Sequence, residues 1–397
     1  MKILMITPYL PYPLVSGGQI RTYNLLKKLK DRHEITLFAF IRRQEERQHV
    51  SQLSKFCHKI VLVERRPAWS FFNISIAGFS PFPFIIAIYY SRTVKKLLTQ
   101  ELKERAYDLI HAETFYTMPN LPRSTVPILL VEQTIEFLVY QHFVEELKIF
   151  FLKPLLYLDV LKIKLWEKYF WQKASRVVAM SQADQEIMKQ TSPGLQVDIV
   201  PNGVDIEFFS SQHKEEESPP MILFVGNFSW LQNREAAVVL VKEVWPYIKK
   251  EIPEAKIWIV GRNPSDSIKK LASDSVIVDE SQEDIRQAYR RASILVAPIK
   301  GGGGTRYKIL EAMASRLPVI TTSIGIEGLD AKDGREVIIR DDAKLIAQAT
   351  VELLKDRTKY QQIADSAHLF VAQKYNWSNI ANKLDRIYQE VASGRDA

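Results

Sequence analysis

Along the first half of the chain, short apolar runs alternate with longer stretches of helical spacing. The runs are "KILMIT" (2–7), "EITLFAF" (34–40), "KIVLVE" (59–64), "DLIHAE" (108–113), "PILLVE" (127–132) and "RVVAMS" (176–181), with segments such as "QIRTYNLLKKLKDR" (19–32) between them. Runs this short and continuously apolar predict strands covered on both faces, and their alternation with helices predicts a doubly wound parallel sheet. "VPNGVD" (200–205) then signals a turn, with Asn202-Gly203 supplying the permissive backbone. The acidic "SSQHKEEESPP" (210–220) reads as an exposed linker. Beyond it the alternation restarts with "MILFVGN" (221–227), "AKIWIVG" (255–261), "VIVDE" (276–280), "SILVAPI" (293–299), "PVITT" (318–322) and "EVIIR" (336–340). The fold class expected is α/β, with two similar domains in tandem, which suits a chain of 397 residues.

Two stretches depart from this rhythm. From Ala68 to Ser91 there is no charge, and the length would span a bilayer, but Gly78, Pro81 and Pro83 interrupt it. The expectation is a loop, buried or dipped into a membrane interface, leading into the helix of "RTVKKLLTQEL". Residues 134–174 read as helical and rich in Lys and aromatics, broken or kinked at Pro154.

Composition narrows the class. Hydrophobic residues make up 46% and charged residues 25%, as in a soluble globular chain. The single cysteine, Cys57, rules out an intrachain disulfide and zinc sites built on cysteine pairs, and a cytoplasmic setting fits. The N-terminal apolar stretch, with prolines at 8, 11 and 13, reads as a first strand rather than a leader. Residues 1–200 hold 27 Lys and Arg against 18 Asp and Glu, while residues 201–397 hold 27 against 28, so the whole excess of +8 comes from the first half. An anionic membrane surface is the partner this suggests; no recognisable nucleic-acid module is present, and none is expected to bind.

The chemistry concentrates in "KGGGGTRYKILEAMA" (300–314). A strand precedes it and a helix follows, so the glycines sit at the carboxyl end of a strand and the start of a helix, where open α/β sheets bind ligands. Glycines let backbone N–H groups approach a phosphate closely. Gly302, Gly303, Gly304 and Thr305 supply that backbone, and Arg306 and Lys308 add positive charge suited to a diphosphate. Glu311, one turn on, offers two acceptors to neighbouring hydroxyls such as those of a ribose. The spacing is not that of a Walker loop, and no Gly-x-Gly-x-x-Gly follows the first strand.

With these residues in view, the chain resembles the family 4 glycosyltransferases over nearly its whole length. "LEAMASRLPVITT" is similar to that family's LEAMA signature, "VPNGVD" to its interdomain crossover, "ITPYLPYPLVSGGQIRTYNLL" to its first loop and helix, and "WSNIANKLDRIY" to its final helix. The resemblance implies a GT-B fold, in which two Rossmann-like doubly wound domains face each other across a cleft. The first domain is expected at 1–205, joined by the returning helix 376–397, and the donor-binding domain at 206–375. It further implies that Gly17 and Gly18 lie near the donor phosphates, that Glu311 meets the donor ribose, and that Gly226 and Asn227 flank the donor. Where the family usually carries a second Glu, eight residues before Glu311, this chain has Gly303, as in a subset with a GGGTRxK loop. The family's His-x-His after the fourth strand reads His111-Ala112-Glu113 here, making His111 and Glu113 the candidate catalytic residues.

The activity implied is transfer of a sugar from a nucleoside-diphosphate sugar to an acceptor hydroxyl, with retention, in bacterial cell-surface polysaccharide or glycolipid synthesis. No metal and no cofactor beyond the co-substrate are expected. The partners are the nucleotide-sugar donor and a glycan or lipid-linked acceptor, the location cytoplasmic and peripheral to the membrane. The alternatives are an inactive sugar-nucleotide-binding scaffold and a non-hydrolysing sugar-nucleotide epimerase.

Overall fold

The structure, a computed structural model, describes residues 1–147, 149–210, 219–301 and 306–394. The chain divides into two compact units, Met1–Pro201 with Ile380–Ala397, and Asn202–Asn379. The boundary falls four residues earlier than the 205 expected from sequence. Val204 donates its N–H to the Tyr375 carbonyl at 2.7 Å, and Gly203 lies against Trp377, which ties this turn to the second unit.

Among the described residues, the first unit holds a seven-stranded sheet built from β1 (Lys2–Thr7), β2 (Glu34–Ile41), β3 (Lys59–Glu64), β4 (Leu109–Glu113), β5 (Ile128–Val131), β6 (Arg176–Ala179) and β7 (Val197–Ile199). Their order is β3-β2-β1-β4-β5-β6-β7, and every pairing is parallel. The order reverses between β1 and β4, so the crevice at their carboxyl ends is the ligand position of this topology.

The second unit repeats the plan with β8 (Met221–Val225), β9 (Lys256–Val260), β10 (Val276–Asp279), β11 (Ile294–Ala297), β12 (Val319–Thr321) and β13 (Ile338–Ile339). These form a parallel sheet of order β10-β9-β8-β11-β12-β13, with its switch point between β8 and β11. Successive side chains leave a strand on opposite faces. Ile222 and Phe224 of β8, Ile257 and Ile259 of β9, and Ile294 and Val296 of β11 accordingly enter one core cluster. Leu223, Trp258, Val260 and Leu295 enter the other. Burial on both faces is why these strands read as unbroken apolar runs.

Several expectations are corrected. Residues 68–91 are not a loop but two short helices, Phe71–Phe79 and Phe84–Tyr89, separated at the prolines. Ser70 starts the first by accepting the Asn73 N–H. Residues 134–174 form two helices, Glu136–Glu146 and Lys153–Lys173; Pro154 breaks no helix but sits in the first turn of the second, where its missing N–H costs nothing. Among the described residues no helix is long and apolar enough to cross a membrane. The final helix spans Trp377–Ala392, and its turns from Ile380 onward belong to the first unit, where Asp385 meets His33 Nε2 at 2.9 Å and Arg32 at 3.0 Å.

Candidate active site

In the first unit the candidate residues converge on the carboxyl ends of β1, β4 and β5. Leu109, His111 and Glu113 alternate onto one face of β4. Met5 pairs with His111, and Glu113 with Val131, so Tyr9, Glu113 and Gln133 all fall just at or beyond the last paired residues. Ser16 caps the helix Gly17–Leu29, which starts at the same edge, by accepting the Gln19 N–H.

These side chains form one hydrogen-bonded chain. Tyr388, from the final helix, lies with its hydroxyl 2.6 Å from His111 Nδ1. His111 Nε2 is 3.1 Å from Glu113 Oε1. Gln133 Nε2 donates to Glu113 Oε2 at 2.6 Å and to the Tyr9 hydroxyl. Burial alone would raise the Glu113 carboxyl, but the hydrogen bond from His111, with Arg21 and Gln133, outweighs it and holds it below the usual carboxylate range. An ionised Glu113 requires a proton on His111 Nε2. Burial keeps Tyr388 a phenol, well above its ordinary value, so its O–H is available to Nδ1 and fixes that tautomer.

His111 and Glu113 have no exposed surface. The half-exposed members of the network are Tyr9 and Gln133, with Gly17 and Gly18 beside them. Gly18 makes this approach possible: a Cβ there would lie 2.3 Å from both Gln133 Oε1 and the Tyr9 hydroxyl. Because Gln133 spends its N–H groups on Glu113 and Tyr9, its carbonyl oxygen is the atom turned toward Gly18.

The turn after Glu113 is held in an uncommon conformation. Thr114 has φ of 67°, which a β-branched residue rarely adopts. Thr117 Oγ1 donates to the Glu113 carbonyl at 3.1 Å, and Glu132 accepts both the Phe115 N–H and, at 3.0 Å, Trp171 Nε1. Burial, together with the nearby charges of Glu136 and Glu113, pushes Glu132 up to about 8. Sequence reasoning passed over Tyr9, Gln133 and Tyr388; the position of Gln133 just past a predicted strand was the available signal for one of them.

In the second unit the switch point between β8 and β11 gathers Gly226, Asn227, Asn233, Lys308 and Glu311. Lys308 Nζ donates to Asn233 Oδ1 at 2.7 Å and stands 4.4 Å from the centre of the Phe224 ring. Burial, then the neighbouring Arg306, lowers its amine to about 7, against the pull of Glu311. Asn233 in turn donates to the Asn227 carbonyl at 2.8 Å. Glu311 accepts from the Tyr289 hydroxyl at 2.7 Å, and burial raises its carboxyl. Arg306 is buried at the N-cap of the helix Tyr307–Ala314, with one guanidinium nitrogen 3.3 Å from the Gly301 carbonyl. Gly302, Gly303, Gly304 and Thr305 lie outside the described residues.

Gly226 and Gly261 pack backbone against backbone. Gly261 has φ of 153°, and a Cβ there would fall 1.7 Å from the Gly226 carbonyl oxygen. Gly261→Ala is expected to destabilise the protein by about 3 kcal/mol or more, combining backbone strain with a clash that only main-chain movement relieves. Urea denaturation of the two proteins measures this, and a change below about 1 kcal/mol would contradict it.

Two parallel-sheet Rossmann-like domains in one chain are the architecture of the GT-B fold. The model of the family described as Glycosyltransferase Family 4 matches residues 15–208, and that of the glycosyl transferases group 1 matches residues 219–356. Each model covers less than half of the chain, and together they make it similar to glycosyltransferases over most of its length. A Klebsiella pneumoniae relative, described as an uncharacterised 44.6 kDa protein in cps region, is 23% identical over 96% of this chain and 98% of its own length. The phosphatidyl-myo-inositol mannosyltransferase of Mycobacterium leprae is 26% identical over 207 residues, which is 49% of this chain and 54% of that enzyme. The crystal structure of Anabaena Alr3699/HepE in complex with UDP and glucose shares the fold, with a TM-score of 0.68 at 17% identity, over 98% of this chain and 100% of that one.

Proposed function

We propose that the protein transfers a sugar from a nucleoside-diphosphate sugar to an acceptor hydroxyl, with retention and without a metal, in the synthesis of a bacterial cell-surface polysaccharide or glycolipid. The observation that carries the donor half is Lys308, buried beside Asn233 and Phe224 at the second switch point, with Glu311 one turn along the same helix. Glu311 offsets the burial of that amine only in part, and a diphosphate would supply the further negative charge. In this reading the charge developing on the leaving diphosphate is met by Lys308, Arg306 and the N–H groups of residues 302–305. Glu311 holds the ribose, and Gly226 and Asn227 border the donor. The stereochemistry and the GGGTRxK subset belong to the reading through the resemblance alone.

The relatives lend this reading its substrates. The Anabaena structure holds UDP and glucose, and the mycobacterial relative is a phosphatidyl-myo-inositol mannosyltransferase, so a nucleotide sugar and a lipid-borne or glycan acceptor are the chemistry to test. The acceptor would be met at the inner face of the cell membrane.

Calorimetry with UDP, GDP, ADP and dTDP tests it. One base is expected to bind with micromolar affinity, and Arg306→Ala is expected to weaken it by about tenfold or more. The matching sugar nucleotide should then be hydrolysed slowly without acceptor. Binding of none of the four would remove the transferase mechanism; binding without hydrolysis or transfer would favour the inactive scaffold.

A further inference from the structure

The first unit carries an apolar face that its own core does not use. Helix Lys153–Lys173 is 21 residues, about 32 Å long, and buries Val160, Ile163, Glu167, Phe170 and Trp171. Its other side exposes Leu155, Leu158, Leu161, Leu165 and Tyr169, three or four residues apart, one continuous stripe. Phe150 and Phe151 extend the stripe at its start, the first with 79% of its surface exposed. Beside it, Trp69, Phe71 and Phe79 are exposed at 81%, 87% and 94%. Single exposed apolar side chains are ordinary, but a contiguous cluster of this size marks a contact surface.

The two segments are one surface. Lys162 Nζ donates to the Ala77 and Ser80 carbonyls at 2.7 and 2.9 Å, and Trp166 Nε1 to the Pro81 carbonyl at 2.9 Å. Asp159 accepts the Phe84 N–H at 3.0 Å. Helices 71–79 and 153–173 are thereby fixed to each other before anything binds.

Charge decides what fits this face. The helix has two carboxylates, and both are turned inward: Asp159 to Phe84, and Glu167 to the N–H groups of Glu136 and Phe137. Lys164 and Lys173 are exposed, Lys153 and Lys168 half-exposed, and Arg66 stacks at 4.0 Å on the Phe72 ring at the edge of the other segment. The exposed carboxylates near the rim are Glu145 and Glu146, on the neighbouring helix. Protein interfaces are depleted in lysine, whereas an anionic lipid surface attracts it and lets its stem lie along acyl chains.

We propose that helices 71–79 and 153–173 form a built-in docking face for an anionic lipid bilayer, lying flat in its interface with the apolar stripe among the acyl chains and the lysines at headgroup level. The inference rests on the transferase reading only for its purpose, which is to hold the site where a lipid-borne acceptor is presented.

Sedimentation of the full chain with vesicles tests it, comparing phosphatidylcholine alone with a mixture containing phosphatidylglycerol. Binding is expected to the anionic vesicles, to fall with salt, and to drop by about tenfold or more in Leu158→Glu/Leu165→Glu. Both positions are exposed, and circular dichroism of the variant checks that it folds. In the otherwise unchanged chain, tryptophan quenching by brominated lipid that is reduced in Trp69→Phe reads the same contact without touching the helix. A wild-type chain that stays in the supernatant with both vesicles would overturn the proposal. So would a stable dimer that the double substitution dissociates, which would assign the face to a second copy. Calorimetric binding of the nucleoside diphosphate in the same preparations is independent of these outcomes, so failure of the transferase reading and failure of the docking face are told apart.

Discussion

Donor binding is expected to take up a proton at Lys308, so that affinity for the sugar nucleotide is flat below pH 7 and falls about tenfold per pH unit above it. Burial and Arg306 lower the free amine to about 7, so above neutrality most of the unliganded protein carries neutral Lys308. A diphosphate within reach favours the ammonium and raises that value toward the ordinary range. A sugar nucleotide is esterified at both ends of its diphosphate and does not itself titrate near neutrality, so the slope reports the protein. Calorimetry in two buffers of different ionisation enthalpy at pH 8 should show uptake of close to one proton. Lys308→Ala should abolish the slope and cost about thirtyfold or more in affinity at pH 6.5, where the wild-type amine is charged. Lys308→Arg should remain charged and also lose the slope. The stability of the free protein moves the opposite way. A lysine whose folded value lies below its unfolded 10.5 weakens the fold as pH falls from that value toward 7, and has no further effect below it. Thermal stability without donor should therefore rise with pH across this window, and saturating donor should remove the rise. Affinity unchanged between pH 6.5 and 8.5 would contradict the assignment of Lys308 to the diphosphate.

Much of this architecture was legible because parallel strands buried on both faces cannot avoid reading as apolar runs. β7 escaped because it is a three-residue edge strand with Asp198 at its centre, too short and too polar to stand out. Helix 71–79 was read as a loop because helices are recognised by contrast between two faces, and Phe71–Phe79 has no charged residue to provide one. The site residues named from sequence were those that a local motif betrays, Lys308 beside four glycines, or Glu113 through the resemblance of His111-Ala112-Glu113 to the family's motif. Which residue pairs with which was not legible there. Asn233 lies 75 residues from Lys308, and Tyr388 lies 277 residues from His111. Only the sheet order and the return of the last helix bring such pairs together. Spacing also could not reveal that Glu113 is wholly enclosed, which moves the question of substrate contact from Glu113 to the two side chains in front of it.

Glu113→Gln is expected to lower kcat by about a hundredfold or more while changing affinity for the nucleoside diphosphate by less than about threefold. The reason lies in the orientation of Gln133. A carboxylate at 113 accepts only, so it compels Gln133 to present its amide N–H groups inward and its carbonyl oxygen toward Gly18. An amide at 113 can donate, which allows Gln133 to turn over and replaces an acceptor by a donor at the start of the Gly17–Leu29 helix. His111 loses its anionic partner in the same step. Glu113 thus acts as a positioning residue, and Gln133→Ala should reproduce most of the loss in kcat with little loss of stability, because Gln133 is half-exposed. Tyr388→Phe frees His111 Nδ1 and should cost less, about tenfold, through the share of molecules in which the imidazole takes the other tautomer. A depressed carboxylate stabilises the fold above its ordinary range and ceases to do so as pH falls through its lowered value, so Glu113→Gln should flatten the acid limb of the stability profile. Measuring kcat, KM and diphosphate affinity on the folded fraction separates positioning from a structural role. Equal losses in kcat and in donor affinity, or a kcat within about threefold of wild type, would remove Glu113 from the machinery and leave His111 and Tyr388 as ordinary core contacts.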